Sequence, residues 1–244
     1  MSEALFQHPE RRRIFLMRHG EAAYIQDDGS VTEDLRQVGL TAAGRIQARK
    51  QAAVLASVEF DRAICSGLPR TLETAKFILA YREHPQLEIY PELEEIHGGG
   101  TPEAHQDMAA WLRHVANPWA AADEPEAQFL GGERFADFAA RVIPVVDAII
   151  ADQSWNTLLL VLHGAVNRML FNHIMDIPWR ANATIEQDNC CINVIDVDKQ
   201  ANGKPRFLIR GVNLTAYDLN KSSIFLTNME QAAQRMAEDI TTAS

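Results

Sequence analysis

Two apolar runs in this chain end in a histidine followed by a glycine: Leu16-Met17-Arg18-His19-Gly20 and Val161-Leu162-His163-Gly164. An imidazole at a strand end can serve as nucleophile or base. The arginine just before His19 offers a planar fork of N–H donors that matches phosphate oxygens. A glycine after each histidine lets the backbone turn sharply and bring its own N–H close to an anion. Either pair alone reads more plainly as a polar strand end with a satisfied histidine. The recurrence turns the reading toward phosphoryl chemistry, since parallel strands deliver both histidines to one sheet edge, where ligands bind in α/β proteins.

Two further stretches belong with them. Cys65-Ser66-Gly67-Leu68-Pro69-Arg70 sets an arginine in the first turn of a helix. A cation is disfavoured there by the helix dipole, whereas the free N–H groups of the same turn favour a bound anion. An anion reconciles the two; an exposed surface arginine is the simpler alternative. Glu92-Leu93-Glu94-Glu95-Ile96-His97-Gly98 follows a short strand, and phosphoryl transfer to a leaving alkoxide needs a carboxylic acid as proton donor. From the residues alone the choice among the three glutamates stays open, and a solvated acidic face accounts for some of them.

The elements that must position these groups alternate between strand and helix. Strands are expected at 13–17, 61–65, 87–90, 157–162, 191–198 and 206–210, the last two as an antiparallel pair around Ala201-Asn202-Gly203. Thr41 starts a helix whose apolar positions include Ile46, Ala48 and Ala52, and another runs over 68–81 with Leu72, Ala75, Ile78 and Leu79 facing inward. A long amphipathic helix covers 133–152, with Pro144 predicting a kink or break. A helix follows at 165–175, and a last one runs from Ser222 to about Ile240. The result is an α/β fold: a three-layer α/β/α sandwich on a mostly parallel sheet with an antiparallel edge. It is read as a single domain over 1–244, with a cap insertion at 98–131 containing a helical piece at 102–116, and a C-terminal helix and tail at 221–244.

Composition narrows the partners. The chain has 244 residues, 47% of them hydrophobic, and a formal net charge of -10. That argues against nonspecific nucleic-acid binding and against a membrane-surface role, while leaving room for a local basic pocket. No apolar run approaches a membrane span, and residues 1–13 have no signal-peptide core. Cys65, Cys190 and Cys191 form no disulfide framework and no zinc-ligand spacing, so a cytoplasmic setting is expected. Strand alternation predicts one of Cys190 and Cys191 buried and the other exposed. His97, His105 and His114 read as surface residues, His173 as structural, and the four tryptophans as packing anchors. The C-terminal helix can pack on its own domain or make a homodimer contact.

Taken in order, Arg18-His19-Gly20-Glu21, Leu40-Thr41-Ala42-Ala43-Gly44, Ser66-Gly67-Leu68-Pro69-Arg70-Thr71, Leu93-Glu94-Glu95-Ile96, Gly132-Glu133 and Leu162-His163-Gly164 resemble the histidine phosphatase superfamily, in its phosphoglycerate-mutase-like branch (branch 1). The resemblance covers roughly 13 to 215. It implies a phosphatase that hydrolyses a small phosphorylated metabolite with no cofactor or metal, a phosphoric monoester hydrolase of the histidine acid type. By the same resemblance His19 takes the phosphoryl group as phosphohistidine. Arg18, Arg70, His163 and Gly164 line the phosphate pocket, and Glu95 protonates the leaving oxygen. His19 then needs an acceptor for the N–H of its non-attacking nitrogen. The chain departs from the pattern where Ala22 and Ile25 stand in place of Thr and Asn, the Asn being a phosphate contact. Gln26 is a candidate replacement, and Glu21 a candidate substrate contact. A Trp-Asn and a longer loop typical of mutases are missing, which lowers the case for a phosphoglycerate-mutase-type phosphotransferase. A phosphoprotein phosphatase or a phospho-ligand binding module is the remaining alternative.

Overall fold

The strand Thr157–Leu162, β4 in chain order, has the most apolar sequence in the protein and sits inside the sheet. Leu158, Leu160 and Leu162 point into one core, and Leu159 and Val161 into another on the opposite face. A strand buried on both faces needs this continuous apolar run, because successive side chains alternate between faces. The computed structural model describes residues 11–24, 32, 34–99, 107–199 and 204–242. Gln26, His105 and the Ala201-Asn202-Gly203 turn lie outside the described residues, as does the start of the expected 102–116 helix.

Among the described residues six strands form the sheet, in the order β3-β2-β4-β1-β5-β6. They are β1 (Arg12–Arg18), β2 (Arg62–Cys65), β3 (Leu87–Ile89), β4, β5 (Ile192–Lys199) and β6 (Pro205–Leu214). The first four named neighbours are parallel, and β5 and β6 are antiparallel additions on the β1 side. Helices α1 (Ala42–Val54) and α2 (Pro69–Ile78) cover one face, where Ala48, Ala75 and Ile78 meet Phe15, Met17, Ala63 and Val161. Helices α4 (Phe135–Ala151) and α5 (Gly164–Met175) cover the other, where Phe138, Val142, Val146 and Met169 meet Ile14, Leu16 and Ile195. The three-layer α/β reading of the sequence therefore describes the fold. Helix α3 (Met108–Ala116) belongs to the segment read as a cap, and it packs against the C-terminal helix α6 (Asn228–Thr242).

Several local expectations are corrected. Ile46 is exposed, and α1 buries Gly44, Ala48 and Gln51 instead. The Gln51 amide reaches the carbonyls of Cys190 and Leu214, so a polar residue takes the inward position. Helix α4 runs through Pro144 without a break. Pro144 and Ala140 both lie on the exposed side, so the carbonyl that loses its hydrogen bond is left toward water. Cys190 and Cys191 are both buried because they occupy the turn before β5, with Cys190 at φ 59°, and strand alternation does not apply there. Helix α6 starts at Asn228 because Thr227 and Glu230 form a reciprocal capping box: Thr227 Oγ1 accepts from the Glu230 N–H at 3.1 Å, and Glu230 Oε2 accepts from the Thr227 N–H at 2.7 Å.

Candidate active site

Parallel pairing brings the separated motifs together. Arg18 pairs with Leu162 and Cys65 with Val161, so β1, β4 and β2 end at one level. His19, His163 and Ser66 are the next residues of those strands, and His19 N donates to Leu162 O at 3.0 Å. The rings of His19 and His163 stand 5.2 Å apart, centroid to centroid, at 67°. Both histidines are buried.

His19 is held in one tautomer. Its Nδ1 lies 2.7 Å from the Gly20 carbonyl, which can only accept, so Nδ1 carries the hydrogen and Nε2 keeps a free lone pair. Burial, with the positive charges of Arg70 and Arg18, holds the ring well below the ordinary histidine pKa and therefore neutral. Helix α2 fixes the turn that follows: the Gly20 N–H donates to Thr74 Oγ1 at 3.0 Å. A Cβ on Gly20 would come within 2.7 Å of the Gly44 carbonyl, so only glycine allows this approach of β1 to α1.

The arginines are aimed by backbone carbonyls. Arg18 Nη1 donates to Gln187 O at 2.6 Å and Arg70 Nη1 to Leu35 O at 3.0 Å. Arg70 is buried in the first turn of α2, as an anion site at that helix end requires. Arg18 Nε, Arg70 Nε and His163 Nδ1 are all buried without a hydrogen-bond partner among the described residues. Gly164 opens α5, where first-turn N–H groups have no helical acceptor. A Cβ there would stand 3.2 Å from Arg168 Nη1 and 3.4 Å from Arg18 Nε. Arg168, buried and paired with Glu186 at 3.1 Å, is thus a further cation beside the site.

Glu94 and Glu95 have different surroundings. Glu94 is buried against Arg36, whose Nη2 is 2.8 Å from Oε1 and 2.6 Å from Oε2. Glu95 is half-buried, and its oxygens accept from Ala165 N at 3.1 and 3.2 Å, at the start of the helix that follows His163. Arg141 steadies this stretch by donating to the Glu92 and Glu94 carbonyls at 2.7 and 3.0 Å and pairing with Glu133. Glu21, the candidate substrate contact, has a local partner. Its Oε1 accepts from the Thr41 hydroxyl at 2.8 Å, at the cap of α1, so its carboxylate serves the β1–α1 junction. Sequence reasoning gave no role to Ser66, Thr71, Tyr24 or Arg168. Ser66 and Thr71 lie inside a quoted motif, and Tyr24 is five residues past His19, which are the signals that point to them.

One sheet edge gathers a neutral imidazole with a free lone pair, two arginines with nitrogens unpartnered among the described residues, a second imidazole and a carboxylate, a set whose chemistry suits a tetrahedral oxyanion. Residues 14–207 match the profile of the histidine phosphatase superfamily (branch 1), and the chain belongs to that family. It is 29% identical over 189 residues to the adenosylcobalamin/alpha-ribazole phosphatase of Escherichia coli (strain K12), covering 77% of this chain and 91% of that protein. It is 27% identical over 193 residues to the "Probable phosphoglycerate mutase GpmB" of Yersinia enterocolitica, covering 75% of this chain and 84% of that one. The crystal structure of the alpha-ribazole phosphatase from Shigella flexneri superposes with a TM-score of 0.63 at 27% identity, over 82% of this chain and 96% of that chain.

Proposed function

We propose that this chain hydrolyses a small phosphate monoester through a phosphohistidine formed on His19. The observation that carries the reading is the set of three buried nitrogens, Arg18 Nε, Arg70 Nε and His163 Nδ1, that have no partner among the described residues and lie on the residues that surround His19. Unpaired buried polar atoms are costly in a folded protein; an oxyanion accepts from the two guanidinium N–H groups directly and from His163 Nδ1 once that ring has taken up a proton. Phosphoryl transfer is catalysed mainly by positioning and by charge on the equatorial oxygens, which two arginines can supply.

In the first step His19 Nε2 attacks phosphorus, the ester P–O bond breaks, and the departing oxygen takes a proton from Glu95. Arg18, Arg70, His163 and the Gly164 N–H hold the equatorial oxygens. In the second step the Glu95 carboxylate takes a proton from water, the resulting oxygen attacks phosphorus, and the P–N bond breaks. Inorganic phosphate leaves, and His19 and Glu95 regain their starting protonation. Glu95 suits this double duty because its carboxylate is held by the Ala165 N–H in the first turn of α5, two residues past His163, whereas that of Glu94 is committed to Arg36.

The alpha-ribazole phosphatases among the relatives support a phosphorylated metabolite of nucleoside size as substrate. Three free, buried cysteines suit a reducing cytoplasm. The test is phosphate release from p-nitrophenyl phosphate by wild type and His19→Ala, with and without EDTA, followed by a panel containing α-ribazole phosphate and phosphoglycerates. Activity that disappears with His19→Ala and survives EDTA is expected. Wild type no better than His19→Ala would sink the reading, and isomerisation of phosphoglycerate without net hydrolysis would replace it with a mutase.

A further inference from the structure

The Tyr24 hydroxyl is 3.5 Å from His19 Nε2, and the two rings meet edge to face with centroids 6.5 Å apart. Because Nδ1 of His19 is committed to the Gly20 carbonyl, Nε2 is an acceptor and the phenol must be the donor in this contact. The Arg70 guanidinium lies over the Tyr24 ring, 5.5 Å from its centroid, so the residue whose hydroxyl faces the attacking nitrogen also packs on an oxyanion-binding cation. The segment is pinned on both sides. Ala23 N donates to Gly39 O at 3.0 Å, Thr32 N to Tyr24 O at 3.0 Å, and Thr32 Oγ1 to Ala23 O at 3.0 Å.

We propose that Tyr24 is a catalytic residue of this site, its hydroxyl donating a hydrogen bond to an equatorial oxygen of the phosphoryl group in transit to His19. The proposal rests on the phosphatase reading above. When Nε2 bonds to phosphorus its lone pair is taken, and the phenol hydrogen loses its acceptor. A phosphorus attached at Nε2 carries its oxygens to the same place, so the hydrogen passes from nitrogen to oxygen with little movement of the ring. Burial raises the pKa of the phenol and keeps it a donor. In-line displacement puts the leaving oxygen on the far side of phosphorus from His19, out of reach of a hydroxyl beside the nucleophile. Tyr24 therefore keeps its proton throughout, and the proton for the alkoxide still comes from Glu95. This contact would stand in for the phosphate contact that the family pattern expects at Ile25.

The test compares wild type and Tyr24→Phe, which keeps the ring and removes only the hydroxyl. A hydrogen bond to a charged oxygen predicts a fall in kcat/KM of about ten- to a hundredfold. That fall should be the same for p-nitrophenyl phosphate and for β-glycerophosphate, whose leaving group is far more basic. An unchanged kcat/KM with an unchanged melting temperature overturns the proposal. A loss that grows with leaving-group basicity overturns it too, since that is the mark of a proton donor. Calorimetric binding of orthovanadate reads the same contact without turnover. An inactive wild type would sink the phosphatase reading, and the proposal for Tyr24 would then be decided by whether Tyr24→Phe weakens vanadate binding at least tenfold.

Discussion

His163 Nε2 lies 2.8 Å from Ser66 Oγ, and the hydrogens of this contact can run in only one direction. Thr71 Oγ1 is 2.8 Å from the Leu68 carbonyl, which only accepts, so Thr71 donates there and accepts from Ser66 at 3.0 Å. Ser66 has one hydrogen and has spent it, so its Oγ accepts from His163 Nε2. His163 Nδ1 is then a bare acceptor while the ring is neutral, and it becomes a donor to an oxyanion only by taking up a proton.

Oxyanion binding should therefore be linked to a proton. Burial, then Arg70, His19 and Arg18, push the His163 pKa well below its ordinary value. A bound dianion raises it, so binding is favoured as pH falls toward the raised value. Competitive inhibition by tungstate, a dianion across neutral pH, should weaken by up to about tenfold per pH unit as pH rises through that window. His163→Asn should flatten this dependence. A pH-independent inhibition constant in wild type would contradict the hydrogen-bond direction assigned here.

The same two histidines set the acid limit of stability. Their folded pKa values are depressed and their unfolded values are ordinary, near 6.5. The unfolded chain thus binds more protons below that pH, and the folded state loses stability as pH falls through about 6.5 toward the depressed values. Thermal melts from pH 8 to pH 5 should show a falling transition temperature for the free protein. Tungstate should recover part of it, because the bound anion removes the cost of protonating His163. A transition temperature rising over that range would reverse the sign of the argument.

Neutralising each glutamate separates chemistry from scaffolding. Glu95→Gln removes the transferable proton and should lower kcat for a basic leaving group by about a hundredfold or more, with little change in stability. Glu94→Gln weakens the ion pair with half-exposed Arg36, and at such a rim position the cost is about 1 kcal/mol or less. It should leave kcat within about twofold of wild type. Steady-state kinetics and urea unfolding on both variants decide this, and the opposite pattern would assign the acid to Glu94.

What the sequence makes legible here is whatever is written in side-chain type. The continuous apolar run of β4 marks a doubly buried strand, and the His-Gly ends of β1 and β4 mark the sheet edge to which both are delivered. Thr41 and the Thr227–Glu230 pair mark helix starts, the second of which the periodicity of 222–240 hides. The aim of Arg18 and Arg70 is not legible, because Gln187 and Leu35 hold them through backbone oxygens, which every residue type has. The contact of Glu21 with the Thr41 hydroxyl is likewise not legible, because its place in the motif beside His19 says nothing of the cap of α1. Gln51 defeats helical periodicity, since a buried amide that satisfies two carbonyls takes a position that pattern reserves for an apolar residue.

Helix α6 lies beyond the family-matched residues 14–207, yet it is tied to the wall of the site. Asn228 Nδ2 donates to Glu186 Oε1 at 2.6 Å and to Gln187 O at 3.1 Å. That Gln187 carbonyl is the one that aims Arg18, and Glu186 is the partner of Arg168. Loosening Asn228 should therefore let Arg18 wander without touching His19 or Glu95. Asn228→Ala should raise KM for p-nitrophenyl phosphate by about three- to tenfold, in keeping with about 1 kcal/mol for a part-buried hydrogen bond. The kcat should stay within about twofold of wild type. A variant that unfolds at lower urea concentration with KM unchanged would show that the C-terminal helix serves only to brace α3.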